Sequence, residues 1–262
     1  MPLTAKEKTF VKAAIAKSLR EKFKNYSPDG KTVMPFHTRL LGKDRMALFS
    51  FIQSLNTTFG TAIYEPVAAT LATTNRSFQS VECAKKSGGY ISAGAEAAIN
   101  QITRGLQSAE RVPNLSAETE EIRRVCRRGE AIKVNLRRAD VYIIGRDGCH
   151  YPVEIKTAKP NIDGFEKYKD NLLKWTATVL YANPQAKVAA TLAIPYNPDH
   201  PQPYKHWTMR GVLEKGVQIK VADAFWDFLA GKPVFDSLLD CFEETGIEMR
   251  GEIDEYFKRF RI

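Results

Sequence analysis

The chain has 262 residues, 44% of them hydrophobic and 10% aromatic, enough to build one sizeable core or a core with a small subdomain. Its formal net charge of +9 biases it toward a polyanion, nucleic acid before others. No run approaches the roughly eighteen apolar residues of a membrane span, and Lys6, Glu7 and Lys8 interrupt any apolar leader, so a cytoplasmic protein is expected. The four cysteines, Cys83, Cys126, Cys149 and Cys241, are scattered and form no C-x-x-C pair; they read as free thiols. The four histidines have no zinc-ligand spacing with them, which excludes a structural zinc as the organising centre.

In chain order, Thr4 with Glu7 three positions on is a capping box, and residues 4–24 read as an amphipathic helix with Phe10, Ile15, Leu19 and Phe23 inward. Residues 25–42 read as a loop around Pro28-Asp29-Gly30. A second helix spans about Lys43 to Thr57, Gly60 breaks it, and a third runs from about Thr61 to Thr74 with Glu65 in its first turn. Residues 75–89 read as irregular and end in Ser87-Gly88-Gly89. Ser92 to Ser108 is a small-residue helix, and another starts near Ser116. A run of cations follows: Arg123, Arg124, Arg127, Arg128, Lys133, Arg137 and Arg138. Because it abuts the acidic residues described next, it is read as a phosphate-contacting tract.

Residues 139–156, ADVYIIGRDGCHYPVEIK, carry the strongest local signal. Two β-branched and aromatic runs flank Asp147-Gly148, which reads as a hairpin. Val141, Ile143, Tyr151, Val153 and Ile155 hold odd positions and share one face. A two-residue loop would set odd opposite even, so a three-residue loop with Gly148 in the left-handed region is expected. That register places Asp140 opposite Glu154, with Lys156 next on the same face. Two facing carboxylates repel unless a cation lies between them, and hard oxygen donors suit Mg2+. The Lys156 ammonium beside them can orient a water and oppose charge growing on a phosphoryl group. The plainer alternative is a surface ion-pair set on a solvated strand face.

These residues resemble the PD-(D/E)xK nuclease superfamily: Asp140, thirteen residues, then Glu154-Ile155-Lys156 matches its D…ExK pattern, with Ala139 where proline often stands. A looser resemblance, from about Thr58 to Ala230, links Thr58-Phe59-Gly60 with Glu65, Lys156-x-x-Lys159 and Phe225-Trp226-x-Phe228-Leu229 to type II restriction endonucleases of the TdeIII group. That group is related to enzymes cutting GGNCC-containing sites. The resemblance implies an α/β (α+β) restriction-endonuclease-like core, a mixed sheet with a β-hairpin–α–β unit flanked by helices. It further implies a Mg2+-dependent homodimer cutting both strands of double-stranded DNA at a short palindrome and leaving 5′-phosphate ends. Asp140, Glu154 and the Ile155 carbonyl would hold the metal and Lys156 would position water. Glu65 would assist, as helix glutamates of related nucleases do. A repair or recombination nuclease and a DNA-binding protein without catalysis stay open as alternatives.

Downstream, Pro160 ends the strand, and a helix from about Gly164 to Tyr181 carries a broad apolar stripe including Tyr168, Leu172 and Trp175. Lys159, Asn161, Lys167 and Lys169 are expected near the active edge, the first three on DNA together with Lys133, Arg137 and Arg138. Lys187 to Ile194 reads as one buried strand, and 209–213 and 217–221 as short strands. Helices at about 223–229, 235–244 and 250–260 close the chain. The whole is read as one nuclease domain, with 1–115 mainly helical and 116–262 holding the core and C-terminal helices.

Overall fold

A computed structural model describes residues 2–26, 34–85, 88–156, 164–205 and 211–258. In chain order the elements are α1 (Ala5–Asn25), α2 (Pro35–Leu41), α3 (Lys43–Phe59), a π-helical turn (Gly60–Tyr64), α4 (Glu65–Thr74), β1 (Phe78–Lys85), β2 (Gly88–Ser92), α5 (Ala93–Gln107), α6 (Leu115–Val125), β3 (Ala131–Asn135), β4 (Ala139–Gly145) and β5 (Cys149–Ile155). Then follow α7 (Gly164–Ala182), β6 (Lys187–Val188), β7 (Thr191–Ile194), β8 (Ile219–Val221), α8 (Asp223–Ala230), α9 (Phe235–Glu248) and α10 (Arg250–Lys258). The chain divides into a helical unit, 1–70 with 234–262, and a sheet unit, 71–233.

In the helical unit, Thr4 caps α1 as expected: its hydroxyl accepts from the Glu7 amide and the Glu7 carboxylate accepts from the Thr4 amide. α1 buries Val11 and Ile15, pairs Lys12 with Glu244 at 3.0 Å and Arg20 with Glu252 at 2.6 Å, and stacks Phe23 on Tyr256. The two ends of the chain therefore close one unit. Residues 35–41 are helical, not looped, because Pro35 occupies the first helical position, where its missing amide costs nothing. Gly60 does not break the chain either. Its backbone is right-handed helical, and its carbonyl accepts from the Glu65 amide across the π turn, so the helix continues with one extra residue in the turn.

The sheet unit holds a six-stranded sheet in the order β1-β4-β5-β7-β8, with β6 also on β5, and a separate two-stranded ribbon, β2–β3. β1, β4 and β5 are antiparallel; β5, β7 and β8 are parallel, with α7 as the crossover from β5 to β7. This is the mixed sheet with a hairpin–α–β unit expected from the sequence. The hairpin pairs Val141 with Val153, Tyr142 with Pro152 and Ile143 with Tyr151. Its loop is Arg146-Asp147-Gly148, closed by the Gly148 amide on the Gly145 carbonyl at 3.0 Å, with Gly148 at φ 76°.

Both faces of the sheet are covered. The odd face of the hairpin meets α8, where Tyr151 contacts the Phe228 ring and Trp226 donates its indole N–H to the Pro195 carbonyl. The even face joins Tyr142, Leu192 and Ile194 to Ile99 and Ile102 of α5 and Leu172 and Trp175 of α7. Three expectations fail here. Residues 78–85, expected to be irregular because the segment is polar, form a strand with a bulge between Phe78 and Ser80. Residues 187–194 form two short strands, β6 and β7, in one register on β5, with the pairing interrupted at Ala189-Ala190 although the Ala189 amide still donates to the His150 carbonyl at 2.8 Å. Residues 211–213 are not a strand, and 206–210 lie outside the described residues.

Lys169 was expected at the active edge and is instead fully buried. It donates to Glu118 at 2.6 Å and to Gln218 at 2.8 Å, both also fully buried. Gln218 Oε1 further accepts from the Glu214 amide, and Glu118 from the Asn114 amide, so the network ties α6, α7 and the segment before β8 together. Burial draws the Lys169 ammonium below its ordinary pKa, while Glu118 pulls the other way. Lys169→Met leaves a buried carboxylate unpaired and should cost about 3–5 kcal/mol, read as a lower urea midpoint; adding Glu118→Leu should restore much of it.

Candidate functional site

The hairpin register brings Asp140 and Glu154 to facing positions at the open end of β4–β5, one step beyond Val141↔Val153. Both carboxylates lie in the protein: Asp140 is 9% exposed and Glu154 3%. The solvated-strand alternative fails on that burial. Asp140 Oδ2 accepts from the Ile155 amide at 2.7 Å, which ties the first strand's acid to the backbone of the second. Glu154 Oε1 is held by the Lys156 ammonium, with Arg137 Nη1 at 3.9 Å. Lys156 is fixed in turn: its amide donates to the Ala193 carbonyl of β7, and its ammonium lies 5.4 Å from the centre of the Tyr168 ring on α7. Strand, neighbouring strand and crossover helix thus set one side chain.

The electrostatics are those of a loaded site. Burial pushes the Glu154 pKa above the usual carboxylate value, and the Asp140 charge adds to the rise; Lys156 and Arg137 oppose it. Ala84, in the register position beside Asp140, has φ 55°, in the left-handed region that disfavours a side chain. Sequence reasoning missed both Ala84 and Tyr168. Ala84 carries no sequence signal, and Tyr168 was read only as one residue of an apolar stripe.

The cation tract divides by use. Arg123 donates to the Pro184 and Ala186 carbonyls and pairs with Glu120, and Arg127 donates to the Tyr181 and Ala182 carbonyls. These two arginines satisfy carbonyls at and beyond the C-terminal end of α7, where orphan acceptors and the helix dipole favour cations. They are structural, which corrects their reading as phosphate contacts. Arg124 pairs with Glu120. Arg128, Lys133, Arg137, Arg138 and Lys167 are exposed. Trp175 donates to the Arg137 carbonyl at 3.0 Å, which anchors the tract's last turn beside Asp140. Lys159 and Asn161 lie outside the described residues. Glu65 opens α4 in the helical unit and is 3% exposed.

The donor set fits a small hard cation. The two acids bring oxygen only, and among the described residues no group of three or more His, Cys, Asp or Glu is assembled for a metal. A dedicated cage would need more ligands, whereas Mg2+ is commonly held by one or two carboxylates, waters and substrate phosphate. Among the described residues no helix is long and apolar enough to cross a membrane.

Comparison with known proteins identifies the family. The family model described as type II restriction endonuclease, HinfI, matches residues 3–246. The chain is 25% identical to the type II restriction enzyme MjaII of Methanocaldococcus jannaschii, over 88% of this chain and 68% of that one. It is 24% identical to HgiCII and 26% identical to HgiEI, type II restriction enzymes of Herpetosiphon aurantiacus, each over 87% of this chain and 82% of the relative. The mixed sheet flanked by helices is accordingly a restriction-endonuclease-like fold, and the chain belongs to the HinfI family of type II restriction endonucleases, which are site-specific deoxyribonucleases.

Proposed function

We propose that the chain is a Mg2+-dependent endonuclease acting as a homodimer on double-stranded DNA at a short palindrome, GGNCC-like by its resemblance to the TdeIII group, and leaving 5′-phosphate ends. The single observation that carries the chemistry is the pair of buried carboxylates, Asp140 and Glu154, facing across the hairpin with Lys156 against one of them.

Asp140 and Glu154 would hold the ion together with the Ile155 carbonyl. Bound there, Mg2+ supplies Lewis-acid polarisation of the phosphate and acidifies a water. The Ile155 amide fixes one Asp140 oxygen, leaving the carboxylate a defined direction. Lys156, steered by Glu154 and the Tyr168 ring, orients the attacking water and offsets charge growing on the phosphoryl oxygens. Lys133, Arg137, Arg138 and Lys167, with Lys159 and Asn161 from the resemblance, contact the DNA strand. Glu65 takes the water- or metal-holding part that the resemblance gives to helix glutamates. A homodimer follows from symmetry: two facing sites match the two strands of a palindrome. Exposed apolar side chains on α2 and α3, Phe36, Leu40 and Phe49 among them, support self-association of the helical unit.

Digestion of a sequenced plasmid with Mg2+ should give discrete fragments with 5′-phosphate ends at one palindrome; scattered cutting would remove the restriction assignment and leave only nuclease chemistry. Asp140→Ala should lower cleavage at least about 10³-fold while a gel shift still shows DNA binding. A variant cutting at the wild-type rate would end the assignment of Asp140.

The pH dependence follows from Glu154. Its folded pKa is raised, so its ionised form is the costly one: its stabilising contribution is present below the ordinary carboxylate pKa and is lost as pH rises through the folded value. Metal binding needs the ionised form. Cleavage should therefore fall on acidification from a higher pH than an ordinary glutamate would give. Glu154→Gln should abolish cleavage, leave the melting temperature in EDTA equal or higher, and lose the upward shift that Mg2+ gives the wild type. A large drop in the EDTA melting temperature would make Glu154 a structural residue instead.

A further inference from the structure

Apart from Lys133, already read as a DNA contact, the β2–β3 ribbon has no part in the function proposed above. It stands apart from the six-stranded sheet, and its two faces differ. Ile91 and Val134 point into the core and are buried. The opposite face carries Tyr90 paired with Lys133, and Asn135 paired with Gly88. Tyr90 is 50% exposed, and Lys133 and Asn135 are exposed. Among the described residues, no hydrogen bond or ion pair engages the side chains of Tyr90, Lys133 or Asn135.

The ribbon is nevertheless firmly held. Gly89 presses on α7 so closely that a Cβ there would fall 2.2 Å from Thr178 Cγ2. At its far end, the Ser92 hydroxyl donates to the Val125 carbonyl at 2.7 Å and caps α5. Past Asn135 the chain passes Arg137, whose carbonyl is anchored by Trp175 and whose guanidinium reaches toward Glu154. Asn135 and Arg137 are two residues apart, about 7 Å of extended chain. Arg137 in turn lies against Glu154, so the Asn135 end of the ribbon is the end that leads to the Asp140–Glu154 pair.

A rigid two-stranded ribbon is of the size that enters the major groove. An Asn amide offers a donor and an acceptor together, the pattern that matches a base edge, and a tyrosine ring offers apolar contact with a hydroxyl at its tip. A lysine on the same face matches a flanking phosphate. Accepting the endonuclease reading above, we propose that the β2–β3 ribbon enters the major groove beside the cleaved phosphate, with Asn135 and Tyr90 on base edges and Lys133 on the backbone.

The test uses the full chain and its Asn135→Ala, Asn135→Asp, Tyr90→Ala and Lys133→Ala variants. After the wild-type site is mapped on a plasmid, single-turnover cleavage is measured on that duplex and on duplexes carrying each single-base change. Asn135→Ala and Asn135→Asp should reduce discrimination at one or two positions by about 10- to 100-fold, with little change in the salt dependence of binding. Tyr90→Ala should act at a neighbouring position. Lys133→Ala should weaken binding to all duplexes alike and lower the salt slope by about one. These side chains are exposed, so unchanged melting curves should accompany the effects. Wild-type rates and discrimination in both the Asn135 and Tyr90 variants would overturn the ribbon's role while leaving the nuclease intact. A wild-type chain that cuts nothing in Mg2+ would instead remove the endonuclease reading, and the ribbon proposal with it.

Discussion

The register of one hairpin governs the rest of the sheet unit. With three residues in the loop and Gly148 at positive φ, odd positions meet odd and even meet even. A slip of one residue would send Asp140 to the face that packs on α8 and leave Glu154 alone on the other. The same slip would drive Tyr142 out of the core it shares with α5 and α7. Packing and chemistry therefore select the same register: the apolar residues that hold the hairpin in place also bring the acids together. The backbone bond from the Ile155 amide to Asp140 adds a local lock at the end where ladder pairing has stopped.

The cations show how a charged protein assigns its charge. The chain carries +9, but two arginines of its densest tract, the half-buried Arg123 and the exposed Arg127, are engaged by carbonyls at and just past the end of α7, and Lys169 is sealed with Glu118 and Gln218. These contacts position α7, and α7 carries both Tyr168 beneath Lys156 and Trp175 on the Arg137 backbone. These charges thus act on the site through a helix, whereas Lys133, Arg137 and Arg138 are exposed on the approach to it. Sequence distance from the acids separates the two groups: Arg123 and Arg127 lie on or just past α6, and Lys133 onward lie on β3 and the approach to β4.

Much of this was legible in the sequence where one local signal sufficed. The capping box at Thr4, the hairpin loop, the α7 stripe and the buried Phe225 and Trp226 each rest on a spacing or a turn chemistry that tertiary contacts do not override. The D…ExK acids were readable for the same reason, since a hairpin's loop length fixes its register. What was not legible depends on partners distant in sequence. β1 looks irregular alone and becomes a strand because β4 offers it a ladder; β3 is hidden in a run of cations and forms because β2 pairs with it. The burial of Lys169 needs Glu118 and Gln218, roughly fifty residues away on either side, and no pattern within α7 announces them. Gly60 misled because a glycine that often ends a helix here only opens a π turn.

The site also explains why its carboxylates are held under tension. Burial raises the cost of ionising Glu154, and the neighbouring Asp140 charge adds to it. Lys156 and Arg137 relieve part of that cost at Glu154. A fold selected for stability alone would replace the pair with apolar residues of similar size, which often costs nothing or stabilises. Retaining two buried acids beside a steered lysine makes sense where a further positive charge arrives with the substrate to complete the balance. On the endonuclease reading proposed above, a cation held there would offset the cost of the pair, and DNA phosphate oxygens would add to its coordination. Binding of metal and of substrate would then be mutually supportive, which ties the register of a single hairpin to the conditions under which the enzyme acts.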